Sequence, residues 1–146
     1  MCLIIPNSYL LWWNGSFDKI INRLKSQHDL FWEGKRTEKA KKLGLSTNEV
    51  YTLASIVEEE TNATTDKGKV ASVYLNRLKK GMRLEADPTV KYALRNFELK
   101  RVLHGHLTYP SPYNTYLNKG LPPGPICTPS ISTIDAVLNA PTTDFL

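Results

Sequence analysis

The chain has 146 residues, 41% hydrophobic and 23% charged, which fits one soluble globular domain. No apolar run approaches the roughly 18 residues needed to cross a bilayer, so a membrane-spanning reading is excluded for this stretch of sequence. A net charge of +5 points to a polyanionic partner (nucleic acid, an acidic membrane or an anionic cell-wall polymer) or to the mild basicity common in soluble domains.

In chain order, "MCLIIPNSYLLWW" opens the sequence. It is apolar, but Pro6 and Asn7 break it and no basic region precedes it, so it reads as a strand or extended segment and not as a signal peptide. Ser16 is placed to cap a helix carrying Phe17, Ile20, Ile21 and Leu24 at helical spacing and running to about Phe31 or Trp32. "GKRTEKAKKLG" (34–44) predicts a short basic helix stopped by Gly44. Ser46 and Glu49 form a capping-box pattern that opens the next helix. A further helix, about Thr65 to Lys80, carries Val70, Val73, Tyr74 and Leu78 and stops at Gly81.

Beyond Gly81 the texture changes. "MRLEADPTV" predicts a short strand or turn, Asp87-Pro88 a helix start, and "FELKRVLHG" a short helix. Residues 108–129 hold six prolines and two glycines with no periodicity, which predicts a long, stiff, ordered loop. A last helix is expected near Ser132 to Asn139. The fold class expected is α+β: a mainly helical single domain, 1–146, with minor strand content and a long Pro/Tyr-rich loop.

The third predicted helix ends in three consecutive acids, Glu58, Glu59 and Glu60. On a helical wheel Val50, Leu53, Ala54, Ile56 and Val57 define one apolar arc. Glu60, three residues past Val57 and seven past Leu53, falls within that arc. Glu58 lies off its edge and Glu59 on the opposite face, so both are expected in solvent. Glu60 is expected to line a cleft, nearer the 108–127 loop than its two neighbours. Burial raises a carboxyl pKa, and the helix C-terminus disfavours a carboxylate, so both effects keep such an acid protonated as a general acid requires. The plainer reading is a frayed last turn, or an inward acid paired with Arg77.

Several stretches carry a family resemblance: "LASIVEEETN", "GKVASVYLNRLKKGMRLEADPTVKYAL", "SPYNTY" and "GLPPGPICTPSISTIDAVLNAP", with "IIPNSY" near the start. In this order they resemble the endolytic murein transglycosylase family (MltG or YceG-like, formerly labelled aminodeoxychorismate lyase) over nearly the whole chain. The resemblance implies a lytic transglycosylase. Such an enzyme cleaves the β-1,4 bond between N-acetylmuramic acid and N-acetylglucosamine within glycan strands, leaving 1,6-anhydromuramyl ends. It implies Glu60, directly before Thr61, as the one catalytic acid/base. It offers Asn76, Arg77, Asp87, Tyr113, Asn114, Thr115 and Tyr116 as substrate-binding residues. No metal or other cofactor is implied, and the old label's pyridoxal-phosphate chemistry finds no matching feature.

The partners implied are peptidoglycan glycan strands, with cell-wall synthases as candidates, and neither nucleic acid nor direct membrane contact. Relative to the family, the chain is expected to be a catalytic-domain fragment, truncated at both ends. The anchor of the full-length protein would place it on the outer face of the cytoplasmic membrane. Glu85 stands where the family often has Gln, adding an acid near the site.

The competing class is a nucleic-acid-binding module, because helices 47–61 and 65–80 with "NRLKKGMR" resemble a helix-turn-helix with a basic second helix. "HGH" (104–106) is too sparse for a metal site. Cys2 and Cys127 fit two free thiols or one bridge equally well.

Overall fold

The structure, a computed structural model, describes residues 4–146. Helices are the only regular elements among the described residues: α1 Phe17–Trp32, α2 Lys35–Leu43, α3 Thr47–Glu60, α4 Thr64–Lys79, α5 Asp87–Leu94, α6 His104–Leu107 and α7 Ile131–Leu138. The expected minor strand content is therefore not found. Residues 82–86 have no regular structure: Glu85 is left-handed, and the segment's hydrogen bonds to the long loop go to Thr115 alone, which is too little for a ladder. Met1, Cys2 and Leu3 of the predicted N-terminal strand lie outside the described residues. Residues 8–12 have no regular structure.

Local chemistry accounts for the helix ends. Ser46 accepts a hydrogen bond from Glu49 N at 3.2 Å while the Glu49 carboxylate accepts from Ser46 N at 2.8 Å, closing the capping box of α3. Gly44 takes the left-handed conformation (φ 75°) that ends α2, where a side chain would be strained. Ser130 caps α7 through Thr133 N. Ser16 holds the extended N-cap position of α1, but its hydroxyl makes no capping bond. α5 begins one residue earlier than its Asp-Pro pair suggests, with Ala86 at the cap. The helix expected over 97–105 is replaced by turns followed by the short α6.

α3 is the central element, packed against α4 and α7, which also pack on each other. Its burial is broader than one arc: every residue from Val50 to Val57 is buried, including Thr52 and Ser55. A helix buried all round must satisfy its polar groups internally. Ser55 does so by donating to Thr52 O and accepting from Ile126 N, a bond that fixes the end of the long loop on α3. Leu53, Ile56 and Val57 are fully buried beside Ala71, Leu75, Ile134 and Val137. Each large aliphatic side chain so buried contributes about 1.5–3 kcal/mol. The N-terminal segment reaches this core through Ile5, which is buried, and through Tyr51, whose O–H donates to Ile4 O at 2.7 Å.

Candidate active site

The three acids closing α3 take three different environments. Glu58 is half-buried and paired, not freely solvated as the wheel suggests. Its Oε2 accepts from Lys67 Nζ at 3.1 Å, from Ser130 N and Oγ, and from the Thr133 hydroxyl. Lys67 is itself buried and donates to Thr133 Oγ1 at 2.7 Å. Burial pushes the Glu58 carboxyl up, but the hydrogen bonds from Thr133, Lys67 and Ser130 outweigh it and hold the pKa below the ordinary value. Glu58 is thus an ionised anchor between α3, α4 and the start of α7. The wheel missed it because α7 covers the flank that would otherwise meet water.

Glu59 is exposed and lies against the Cys127 thiol. Glu59 thus meets the loop at Cys127, while Glu60 acts electrostatically on Tyr116 of the same loop. Burial, with the charge of Glu59, pushes the Cys127 thiol up to about 12. The thiol is protonated at neutral pH and donates to Ser55 O at 3.3 Å. Cys2 lies outside the described residues.

Glu60 lines an open cleft with Val70, Val73, Tyr74, Arg77 and Glu85. Glu60 is exposed to solvent, as an acid that must meet a substrate requires, and its carboxyl is partly enclosed by the cleft. Tyr74, nearly buried, donates its O–H to Glu60 Oε2 at 3.1 Å. Burial raises the Glu60 pKa and the Asp87 charge adds to the rise; Tyr74, Lys91 and Arg77 pull the other way without cancelling it. Two residues apart on one helix, Glu58 is held ionised and Glu60 is biased toward its protonated form. The inward Glu60–Arg77 pair allowed by the sequence is not formed.

The other candidate residues divide. Arg77 closes the cleft: its Nη1 donates to Leu84 O, it stands 3.9 Å from Glu85 Oε2, and its buried Nε has no partner among the described residues. Asp87, at the start of α5, accepts from the Tyr116 O–H at 2.6 Å, and no side-chain bond caps the helix. Burial, then this bond and the charges of Asp87, Glu85 and Glu60, raise the Tyr116 pKa, so the phenol is neutral. Glu60, Arg77, Asp87 and Tyr116 therefore share one electrostatic neighbourhood. Tyr74 belongs to it as well. Its signal in the sequence is slight: a polar tip among the aliphatic residues of the α4 arc.

Thr115 and Asn114 are buried and hold the loop in place. Thr115 accepts from Ala86 N at 3.0 Å and from or to Thr89 Oγ1 at 2.8 Å, and its carbonyl accepts from Glu85 N. Asn114 donates to Leu107 O and Tyr109 O and accepts from Tyr116 N. Both side chains are fully engaged within the fold. Glu85, between Arg77 and this staple, adopts φ 54°, a left-handed conformation uncommon outside glycine. Tyr113 packs against Tyr92, with ring centroids 4.7 Å apart and the planes tilted by 47°, on the α5 side. Asn76 turns to the C-terminal segment, donating to Thr143 O and Phe145 O at 2.8 and 2.9 Å. His106 Nδ1 accepts from Leu103 N, closing the first turn of α6.

Comparison with known proteins places this geometry. The chain is 43% identical over 131 residues to the endolytic murein transglycosylase of Bacillus subtilis (strain 168), covering 90% of this chain and 36% of that protein. It is 36% identical over 110 residues to the endolytic murein transglycosylase of Streptococcus pneumoniae serotype 2, covering 73% of this chain and 20% of that protein. The chain thus spans well under half the length of these curated relatives. A crystal structure of a yceG-like protein from Listeria monocytogenes superposes with a TM-score of 0.78 at 36% identity, over 94% of this chain and 44% of that one. The model of the YceG-like family matches residues 1–146, and the chain belongs to that family.

Proposed function

We propose that the chain is the catalytic part of a peptidoglycan lytic transglycosylase, with Glu60 as its acid and base. The observation that carries the reading is the contrast within α3. Partial burial of its carboxyl biases Glu60 toward its protonated form in an open cleft, while Lys67, Ser130 and Thr133 hold Glu58 as a carboxylate. Membership of a family whose curated relatives are named endolytic murein transglycosylases supports the substrate class.

Protonated Glu60 gives its proton to the glycosidic oxygen between N-acetylmuramic acid and N-acetylglucosamine as that bond breaks. The resulting carboxylate then takes the proton from the muramyl C6 hydroxyl, whose oxygen attacks C1 to form the 1,6-anhydro ring. No water is consumed, and Glu60 ends in its starting state. A two-acid glycosidase instead needs a second carboxylate as nucleophile or base. Here the nearby Asp87 accepts a hydrogen bond from the Tyr116 O–H and, by its charge, helps Glu60 retain its proton. Tyr74 steadies the Glu60 carboxyl, and Tyr116 borders the same neighbourhood with a neutral phenol.

Two features count against the nucleic-acid alternative. α3 is buried over Val50–Val57, and α4 gives Tyr74 and Arg77 to the Glu60 cleft. The test is mass analysis of muropeptides released from purified sacculi by the full-length protein. Anhydro-ended products are expected from the wild type and not from Glu60→Gln. Hydrolysed, reducing-end products would overturn the transglycosylase reading.

A further inference from the structure

A second cavity, of about 190 Å³, is lined by Glu59, next in the chain to Glu60, and by Pro88, Lys91, Tyr92, Phe97 and Cys127. Lys91 links it to the cleft, since its charge also acts on the Glu60 carboxyl. The cavity has the parts of a carbohydrate site: a flat apolar wall and a few polar groups that fix orientation. Phe97 is 69% exposed, held by an edge-on contact with Tyr92 at 6.3 Å and 65°. An exposed aromatic face of this kind suits the apolar face of a pyranose. Lys91 is half-buried, and its ammonium has no hydrogen-bond or ion-pair partner among the described residues. The protonated Cys127 thiol offers no nucleophile, so the cavity is suited to binding and not to covalent chemistry.

We propose that this cavity binds a second sugar of the glycan strand, adjacent to the bond held at Glu60, with Phe97 against the ring and Lys91 paired with a carboxylate carried by that unit. The carboxylate is the lactyl group of a peptide-free muramyl residue or belongs to a stem peptide. Glu59, exposed at the same wall, accepts from hydroxyl or N-acetyl N–H groups. The inference rests on the glycan-strand reading above.

The test measures strand binding by full-length protein carrying Glu60→Gln, so that cleavage and changes in the Glu60 proton do not enter. Two probes are used: purified strands stripped of peptide by an amidase, and strands that keep their peptides. Phe97→Leu, which keeps apolar bulk but loses the ring, is expected to weaken binding of both by about three- to tenfold. Lys91→Gln is expected to weaken binding in one arm only: the peptide-free arm for a lactyl carboxylate, the peptide-bearing arm for a stem carboxylate. Equal loss in both arms overturns the carboxylate assignment. Unchanged affinity for both variants, with firm binding by the parent, overturns the subsite while leaving the catalytic reading intact. Absence of binding to either strand by the parent overturns both.

Discussion

At the scale of single residues, the account turns on three neighbouring glutamates with different surroundings. Because folding raises the Glu60 pKa, the folded state binds more protons than the unfolded state as pH rises past the ordinary carboxyl value. Ionised Glu60 therefore costs stability above that window and costs nothing below it. Glu60→Gln should raise the melting temperature slightly at pH 7–8, with the gain vanishing below about pH 4. Glu58 has the opposite sign: its lowered pKa stabilises the fold above the ordinary value, and that contribution is lost as pH falls through the folded pKa. Glu58→Gln leaves Lys67 buried without its counter-charge and should destabilise by roughly 1–3 kcal/mol at neutral pH, measured by denaturant unfolding. Tyr74→Phe removes a donor that lowers the Glu60 pKa, so the alkaline limb of the pH–rate profile should move to higher pH. An unmoved limb would show that Tyr74 does not tune the acid. The wheel placed Glu60 beside the cleft it lines because helical periodicity is a local property. It misplaced Glu58 because the packing of α7 against α3 is a long-range contact that periodicity does not encode.

At the scale of elements, the helices were legible wherever their ends carry side-chain chemistry. The Ser46–Glu49 box and Gly44 stand where the sequence puts them, and α1 and α4 end within about one residue of their expected limits. Legibility failed where a segment owes its shape to another. "MRLEADPTV" suggests a short strand or turn, yet Glu85 turns left-handed and the segment is held by Thr115, 29 residues from Ala86. "FELKRVLHG" has helical residues, but helix capping and packing appear only after Leu103. The long loop was legible as stiff from its prolines. Its tethering to α5 through Thr89 and Thr115, and to the end of α6 through Asn114, was not, since these polar side chains serve equally well in solvent or in a substrate site. Thr115→Val keeps the shape but breaks the hydrogen bonds to Ala86 and Thr89. It should cost about 1–3 kcal/mol in denaturant unfolding. It should also reduce turnover, because Tyr116 and Asp87 would lose their fixed relation to Glu60.

At the scale of the molecule, a helix buried on all sides delivers one acid to an open cleft at its last residue. α4 supplies Tyr74 and Arg77, α5 supplies Asp87 and Lys91, and the Pro-rich loop supplies Tyr116. The rigid centre fixes where the Glu60 carboxyl sits, and the surrounding segments set its affinity for a proton. The most direct measurement compares Glu58→Gln, Glu59→Gln and Glu60→Gln in the full-length protein, assaying 1,6-anhydromuramyl products from purified glycan strands at a temperature where all three are folded. Loss of a general acid costs about 10²–10⁴-fold in rate, and a residue serving as both acid and base should lie at the upper end. Glu60→Gln should therefore fall by about 10⁴-fold with strand binding nearly unchanged, while the folded Glu58→Gln and Glu59→Gln proteins stay within a few-fold of wild type. Full activity in Glu60→Gln, with loss in either neighbour, would contradict the account.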